Sequence, residues 1–143
     1  GHDGFIGNTV IGQWCNLGAD TNCSNLKNDY GNVKVWNYTK KELIDTQKQF
    51  CGLIMGDHSK TGINTMFNTG TVVGVNANVF GAGFPEKFIP SFTWGGAEGS
   101  TSYRIEKAFS VAEKVMERRG KSLDKTEQEI LKHIFNTTKE FRD

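Results

Sequence analysis

Two histidines stand where an imidazole could accept a proton: His2, just ahead of the first patterned stretch, and His58, flanked by Asp57 and Ser59. Imidazole titrates near pH 6.5 when unperturbed, so at neutral pH it can take a proton from an attacking nucleophile at little cost. Asp57 is a carboxylate that could orient His58. Asn16 and Asn25 carry amides that donate and accept together, either to a ligand or, as corner asparagines, to their own backbone. A zinc centre is excluded, because the sequence holds no H-x4-H and no C-x-x-C pair and His58 alone lies in the regular repeat. No glycine-rich phosphate loop opens a Rossmann-like unit, so a nucleotidyltransferase centre is not found in these residues.

The elements that must hold these side chains are announced by a period of six. Residues 55–84 divide into MGDHSK, TGINTM, FNTGTV, VGVNAN and VFGAGF, with first positions Met55, Thr61, Phe67, Val73 and Val79. The fifth positions, Ser59, Thr65, Thr71, Ala77 and Gly83, are all small. A helix repeats its face every three or four residues and a strand every two, so neither accounts for a period of six. A parallel β-helix does: each unit forms one flat wall, about three units make a turn, and first positions stack into a narrow interior. A small fifth position then fits where the wall turns. A β-rich domain that merely contains Gly-Xaa turns would not keep this phase. Upstream, Phe5, Ile11, Leu17 and Cys23 are also six apart, with Thr9, Cys15 and Thr21 at fifth positions.

The two blocks differ in phase by two, which marks an insertion at 27–50. Its Val33, Val35 and Trp36 predict a loop or hairpin projecting from a corner, and long insertions of this kind tend to be functional. The coil is expected over 1–96, with an end cap at 85–96 rich in aromatics. Residues 97–143 predict a helical appendage. The first helix would be capped by Thr101 or Ser102, carry Tyr103, Ala108, Val111, Ala112, Val115 and Met116, and stop at Arg118-Arg119-Gly120. A second follows Asp124, which with Glu127 resembles a capping box, and its stripe is Ile130, Leu131, Ile134, Phe135 and Phe141.

A formal net charge of +1 over 143 residues gives no electrostatic case for nucleic acid or an anionic membrane. Apolar runs fall far short of the roughly 18 residues of a spanning helix, and no signal peptide precedes the repeats, so a soluble cytoplasmic protein is expected. Three cysteines, an odd number, read as reduced thiols serving as small apolar residues. Because Gly1 falls immediately before a repeat, the chain reads as a fragment, unless Gly1 is a cloning remnant.

The stretch GHDGFIGNTVIGQWCNLGADTNCSN resembles, without gaps, the acetyltransferase domain of the bifunctional N-acetylglucosamine-1-phosphate uridylyltransferase / glucosamine-1-phosphate acetyltransferase family. The correspondence runs through Gly1-His2, Phe5, Ile6-Gly7, Ile11-Gly12, Asn16-Leu17-Gly18-Ala19-Asp20-Thr21 and Asn25. Residues 56–85 and IPSFTWGG look more like a Bacteroidetes-type branch of that family, often labelled glucose-1-phosphate thymidylyltransferase. The resemblance implies a left-handed coil, a homotrimer with sites between subunits, acetyl-CoA as co-substrate and an amino-sugar phosphate as acceptor, with glucosamine 1-phosphate expected. It also implies an N-terminal nucleotidyltransferase domain outside this sequence. It assigns the general base to His2, with His58 as the alternative, and substrate contacts to Asn16, Asn25 and, more loosely, Lys34. Phe5 and Leu26 stand where the family has tyrosines, and Asp20 where it has glycine. The alternative is a non-catalytic trimerisation domain of a sugar-1-phosphate nucleotidyltransferase.

Overall fold

The computed structural model describes residues 2–142. The chain is mainly β, built from three parallel sheets that it visits in turn as far as β11, after which it skips the first sheet. The first contains β1 (Gly4–Ile6), β4 (Thr21–Cys23) and β9 (Met66–Phe67); the second contains β2 (Val10–Ile11), β7 (Ile54–Met55), β10 (Val72–Val73) and β12 (Phe88–Ile89). The third contains β3 (Asn16–Leu17), β8 (Lys60–Thr61), β11 (Asn78–Val79) and β13 (Thr93–Gly96), and the antiparallel β14 (Gly99–Ser102) closes it. Strand partners lie 18 residues apart where the repeat is unbroken, as in Ile54 with Val72 and Lys60 with Asn78. Across the insertion they lie 44 apart, as in Val10 with Ile54 and Asn16 with Lys60. The excess of 26 residues is not a multiple of six and leaves a remainder of two. The shift in phase has that origin.

The interior follows the sequence pattern. Met55, Thr61, Phe67, Val73 and Val79 are all buried, and Cys23, Leu53, Ala77 and Ile89 complete the same column. Threonine recurs at fifth positions because its hydroxyl caps the corner: Thr21, Thr65 and Thr71 each donate to the carbonyl three residues earlier, at 2.7, 2.8 and 2.7 Å. An unpaired buried carbonyl at each turn is thereby avoided.

Two expectations fail at the ends of the repeat. Phe5 does not point inward: the register pairs Phe5 with Asn22 and Ile6 with Cys23, so Ile6 takes the interior place and Phe5 is 53% exposed. The first strand partners are 17 apart, one short of the coil length, as Gly4 with Thr21. At the other end Gly83 is exposed and the unit that starts at Val79 leaves the coil after that residue.

The corner between the second and third sheets is a stack of left-handed residues, Trp14, His58, Asn76 and Phe92, with φ of 61, 62, 54 and 57°. Backbone bonds tie the stack together: His58 N donates to Gln13 O, Asn76 N to Asp57 O and Phe92 N to Val75 O, at 2.8, 2.9 and 2.8 Å.

The insertion forms the antiparallel hairpin β5 (Lys34–Asn37) and β6 (Glu42–Asp45), closed at its base by a Leu26–Phe50 bridge. It leans on the coil rather than projecting freely. Val33 is fully buried, and the Trp36 ring lies parallel on Phe88 with centroids 4.3 Å apart. A lone two-stranded hairpin is marginal in water, so its apolar face is stabilised only by such docking.

Three helices follow: α1 (Ile105–Glu117), α2 (Lys125–Thr137) and α3 (Lys139–Arg142). Thr101 and Ser102 do not cap α1, because both pair with β13; α1 starts after Arg104 without a side-chain cap. It ends as expected: Gly120 has φ 67°, and Lys121 N reaches back to Met116 O at 3.0 Å. Asp124 does cap α2, its Oδ1 accepting from Glu127 N at 2.9 Å. Phe141 belongs to the separate α3. The helices bury Ala108, Ala112, Met116 and Leu131 against Phe92, with Trp14, Val75 and Trp94 packed alongside, so they cover the corner stack. Among the described residues no helix is long and apolar enough to cross a membrane.

Candidate functional site

His2 is exposed and lies two residues ahead of β1; Gly1, its partner in the Gly-His pair, is outside the described residues. Asn25 follows β4 at the corner that leads to the insertion. Its Nδ2 donates to Asn8 Oδ1 at 2.8 Å, which links two turns of the coil instead of capping its own backbone. Gly7 lies beneath: a Cβ there would stand 2.8 Å from Phe5 Cζ and 2.9 Å from Asn25 Nδ2, so the bare backbone is what lets the ring and the amide close over it. Phe5, Asn8 and Asn25 therefore form one cluster.

Next to that corner is a cleft of about 430 Å³, lined by Ser24, Leu26, Lys27, Lys34, Asn68 and Lys87 among others. Lys34 is brought there by β5. Lys87 Nζ donates to the Lys34 carbonyl at 2.6 Å. Burial, reinforced by the Lys27 and Lys34 charges, pulls the Lys87 ammonium below its ordinary range, while Cys51 opposes. Three ammonium groups line this cleft; Lys27 is paired with Asp29 at 3.7 Å, whereas Lys34 and Lys87 have no carboxylate partner among the described residues. Such an arrangement favours a phosphate dianion, which relieves the mutual repulsion and accepts charge-assisted hydrogen bonds. Sequence reasoning reached Lys34 but missed Lys27 and Lys87. Lys87 is 53 residues from Lys34, and no local pattern signals that the hairpin folds back onto it.

Asn16 lies elsewhere. It is exposed on β3 in the third sheet and lines a different cleft, with Trp14, Lys60, Arg118 and Arg119. A single chain does not bring Asn16 to Asn25 and Lys34. His58 is buried, 7% exposed, and its Nδ1 has no hydrogen-bond partner. Neither neighbour orients it: Asp57 Oδ1 accepts from Gln13 N at 2.7 Å, and Ser59 Oγ donates to Gly74 O at 2.6 Å. Burial foremost, then the Lys60 charge, pushes the His58 imidazole below its ordinary range, with Asp57 opposing. His58 thus sits as a neutral corner residue beneath the helices. All three cysteines are free, and burial, with Cys51 adding, pushes the Cys23 thiol up to about 12.

No family profile matches the chain. Over 75 residues, 52% of this chain and 18% of the relative, it is 41% identical to a protein named Bifunctional protein GlmU from Methanocaldococcus jannaschii. A protein of the same name from Methanococcus aeolicus is 37% identical over 76 residues, 53% of this chain and 18% of the relative. A Bifunctional sugar-1-phosphate nucleotidylyltransferase/acetyltransferase from Sulfurisphaera tokodaii is 33% identical over 79 residues, 55% of this chain and 19% of the relative. The chain spans less than a fifth of the length of these relatives. The expected Bacteroidetes-type branch finds no support in them. About half of the chain is similar to a short region of proteins named as bifunctional, one of them as a sugar-1-phosphate nucleotidylyltransferase/acetyltransferase.

Proposed function

We propose that this chain is the acetyl-CoA-dependent N-acetyltransferase region of a larger sugar-1-phosphate nucleotidyltransferase, and that its acceptor is an amino-sugar phosphate, glucosamine 1-phosphate. The observation that carries the reading is its 33–41% identity to the bifunctional proteins. The lysine cleft beside Asn25 supports it independently, as a seat for the acceptor's phosphate. In this reading the three sheets wind as a left-handed parallel β-helix over 1–96, residues 97–143 form an appendage, and a nucleotidyltransferase domain precedes them in the cytoplasmic protein.

The chemistry divides among the residues as follows. Lys34, with Lys27 and Lys87, holds the phosphate, and Asn25 fixes the sugar. The amine nitrogen attacks the thioester carbonyl while the His2 imidazole takes its proton; the carbon–sulfur bond breaks, and the departing thiolate is protonated to free CoA. An amide and a thiol result. The acceptor needs such a base because an amine of this kind titrates at about 7.7–8.0, so much of it is protonated at neutral pH. Asn16, on another wall, reaches the acyl group from a neighbouring copy, which makes the homotrimer part of the site.

The test is thiol release from acetyl-CoA against a panel of amino sugars with and without phosphate. Release dependent on glucosamine 1-phosphate, and weak with unphosphorylated glucosamine, is expected. A trimer that releases no thiol with any of them would leave the non-catalytic assembly module instead.

A further inference from the structure

The cleft that carries Asn16 has a chemistry of its own. It measures about 650 Å³ and is lined by Trp14, Cys15, Asn16, Lys60, Val115, Arg118 and Arg119. Three side chains are cations and none is a carboxylate. The cations come from two places distant in sequence, Lys60 from β8 and the arginines from the residues that follow the last turn of α1, Arg118 being its C-cap.

A helix C-terminus favours cations, which explains why arginines are tolerated at 118 and 119 but not why Lys60 faces them. Lys60 is half-buried. Its Nζ donates to the His58 carbonyl at 2.9 Å, which leaves two of its three N–H donors for the cleft. Burial lowers its ammonium from the ordinary range, so the site gains most from an anion that restores the charge balance. The ion pairs recorded among the described residues, Lys27–Asp29 and Lys41–Glu140, involve none of the three cations. A single phosphate would leave most of this volume empty, and the volume lies in the range of small-molecule sites. Trp14 and Val115 add an apolar wall suited to a ring.

We propose that this cleft binds a diphosphate carried on a heteroaromatic ring, as nucleotides and nucleotide-derived coenzymes have, with Lys60, Arg118 and Arg119 on the phosphate oxygens and Trp14 beside the ring. Within one chain it is a second anion site, distinct from the lysine cleft, and its binding of a nucleotide diphosphate does not rest on acetyl transfer.

Calorimetric titration of the intact chain with ADP, CoA, inorganic diphosphate and inorganic phosphate tests it. ADP, CoA or both should bind at least about tenfold more tightly than inorganic phosphate, and the double variant Arg118→Ala/Arg119→Ala should lose about tenfold or more of that affinity. These arginines are exposed, so the melting temperature of the variant should stay unchanged. Trp14→Phe should reduce the preference for ADP over inorganic diphosphate. CoA binding above ADP identifies the coenzyme as the source of the diphosphate, and ADP above CoA identifies a free nucleotide; either supports the site. Equal binding of ADP and phosphate overturns it, as does an affinity lost in Lys34→Ala but kept in the arginine variant. Retained ADP or CoA binding in a chain that releases no thiol would sink the acetyl-transfer reading alone.

Discussion

At the scale of single residues, the two histidines separate by burial and partners. His2 is exposed, whereas His58 is sealed at a corner with an unpaired Nδ1 and no carboxylate bonded to it. If His2 is the base, His2→Ala should lower the turnover of acetyl transfer by roughly 10²–10⁴-fold with little change in acetyl-CoA affinity, since the proton moves only as the amine attacks. Raising the pH should partly restore the variant, because more acceptor amine is then already neutral. Equal turnover of the two proteins would remove His2 from the mechanism. His58 carries a different expectation. Its folded-state imidazole is depressed, so the unfolded chain binds the proton more readily. Stability is then full above the unfolded value, about 6.5, and falls as the pH drops from there toward the lower folded value. Melting temperatures between pH 8 and pH 5 should decline less in His58→Asn, whose side chain tolerates the left-handed φ of 62°. Identical declines would mean that His58 does not govern the acid limb.

At the scale of elements, the period of six over 55–79 made the buried column of Met55, Thr61, Phe67, Val73 and Val79 legible, because these residues recur at one inward position. The insertion was legible as a phase break, but the remainder of two gives its length only modulo six, and the expected bounds of 27–50 fall two residues short of the observed excess. What the sequence could not convey was where the hairpin goes. Trp36 on Phe88 and Lys34 beside Lys87 are contacts between segments about fifty residues apart, made by an apolar face that has to be covered by something. The helix caps show the same division. Asp124 was readable because its bond to Glu127 is local, whereas Thr101 and Ser102 were taken by pairing with β13, a competing tertiary demand. For the candidate site, Asn25 and Lys34 were reached through resemblance, but Lys27, Lys87 and the cluster of Lys60, Arg118 and Arg119 arise from folding. Trp36→Ala should lower stability by about 1–3 kcal/mol through the lost ring contact and buried area. It should also raise the KM for the sugar phosphate more than it lowers kcat, since Lys34 rides on the hairpin that Trp36 anchors. An unchanged KM alongside lost stability would confine the hairpin to a structural role.

At the scale of the whole molecule, the proposed function needs Asn16 brought to Asn25 and Lys34, which the proposed homotrimer would do. Asn16 projects from the third sheet, while Asn25 and Lys34 gather at the corner that leaves the first sheet. In a cyclic trimer the third sheet of one copy can face that corner on the next, so every site draws residues from two chains. Dilution should then lower the specific activity before the protein unfolds, and sedimentation at micromolar concentration should give three copies. A monomer with full activity would refute the shared site.

The most direct measurement is thiol release by mixed trimers. Asn16→Ala and Asn25→Ala proteins, each inactive alone, are dissociated together, reassembled and assayed with acetyl-CoA and glucosamine 1-phosphate. Random mixing places an intact Asn16 against an intact Asn25 at about one site in four, so roughly a quarter of the wild-type rate should return. No recovery in trimers shown to contain both variants would contradict acetyl transfer at a site shared between copies.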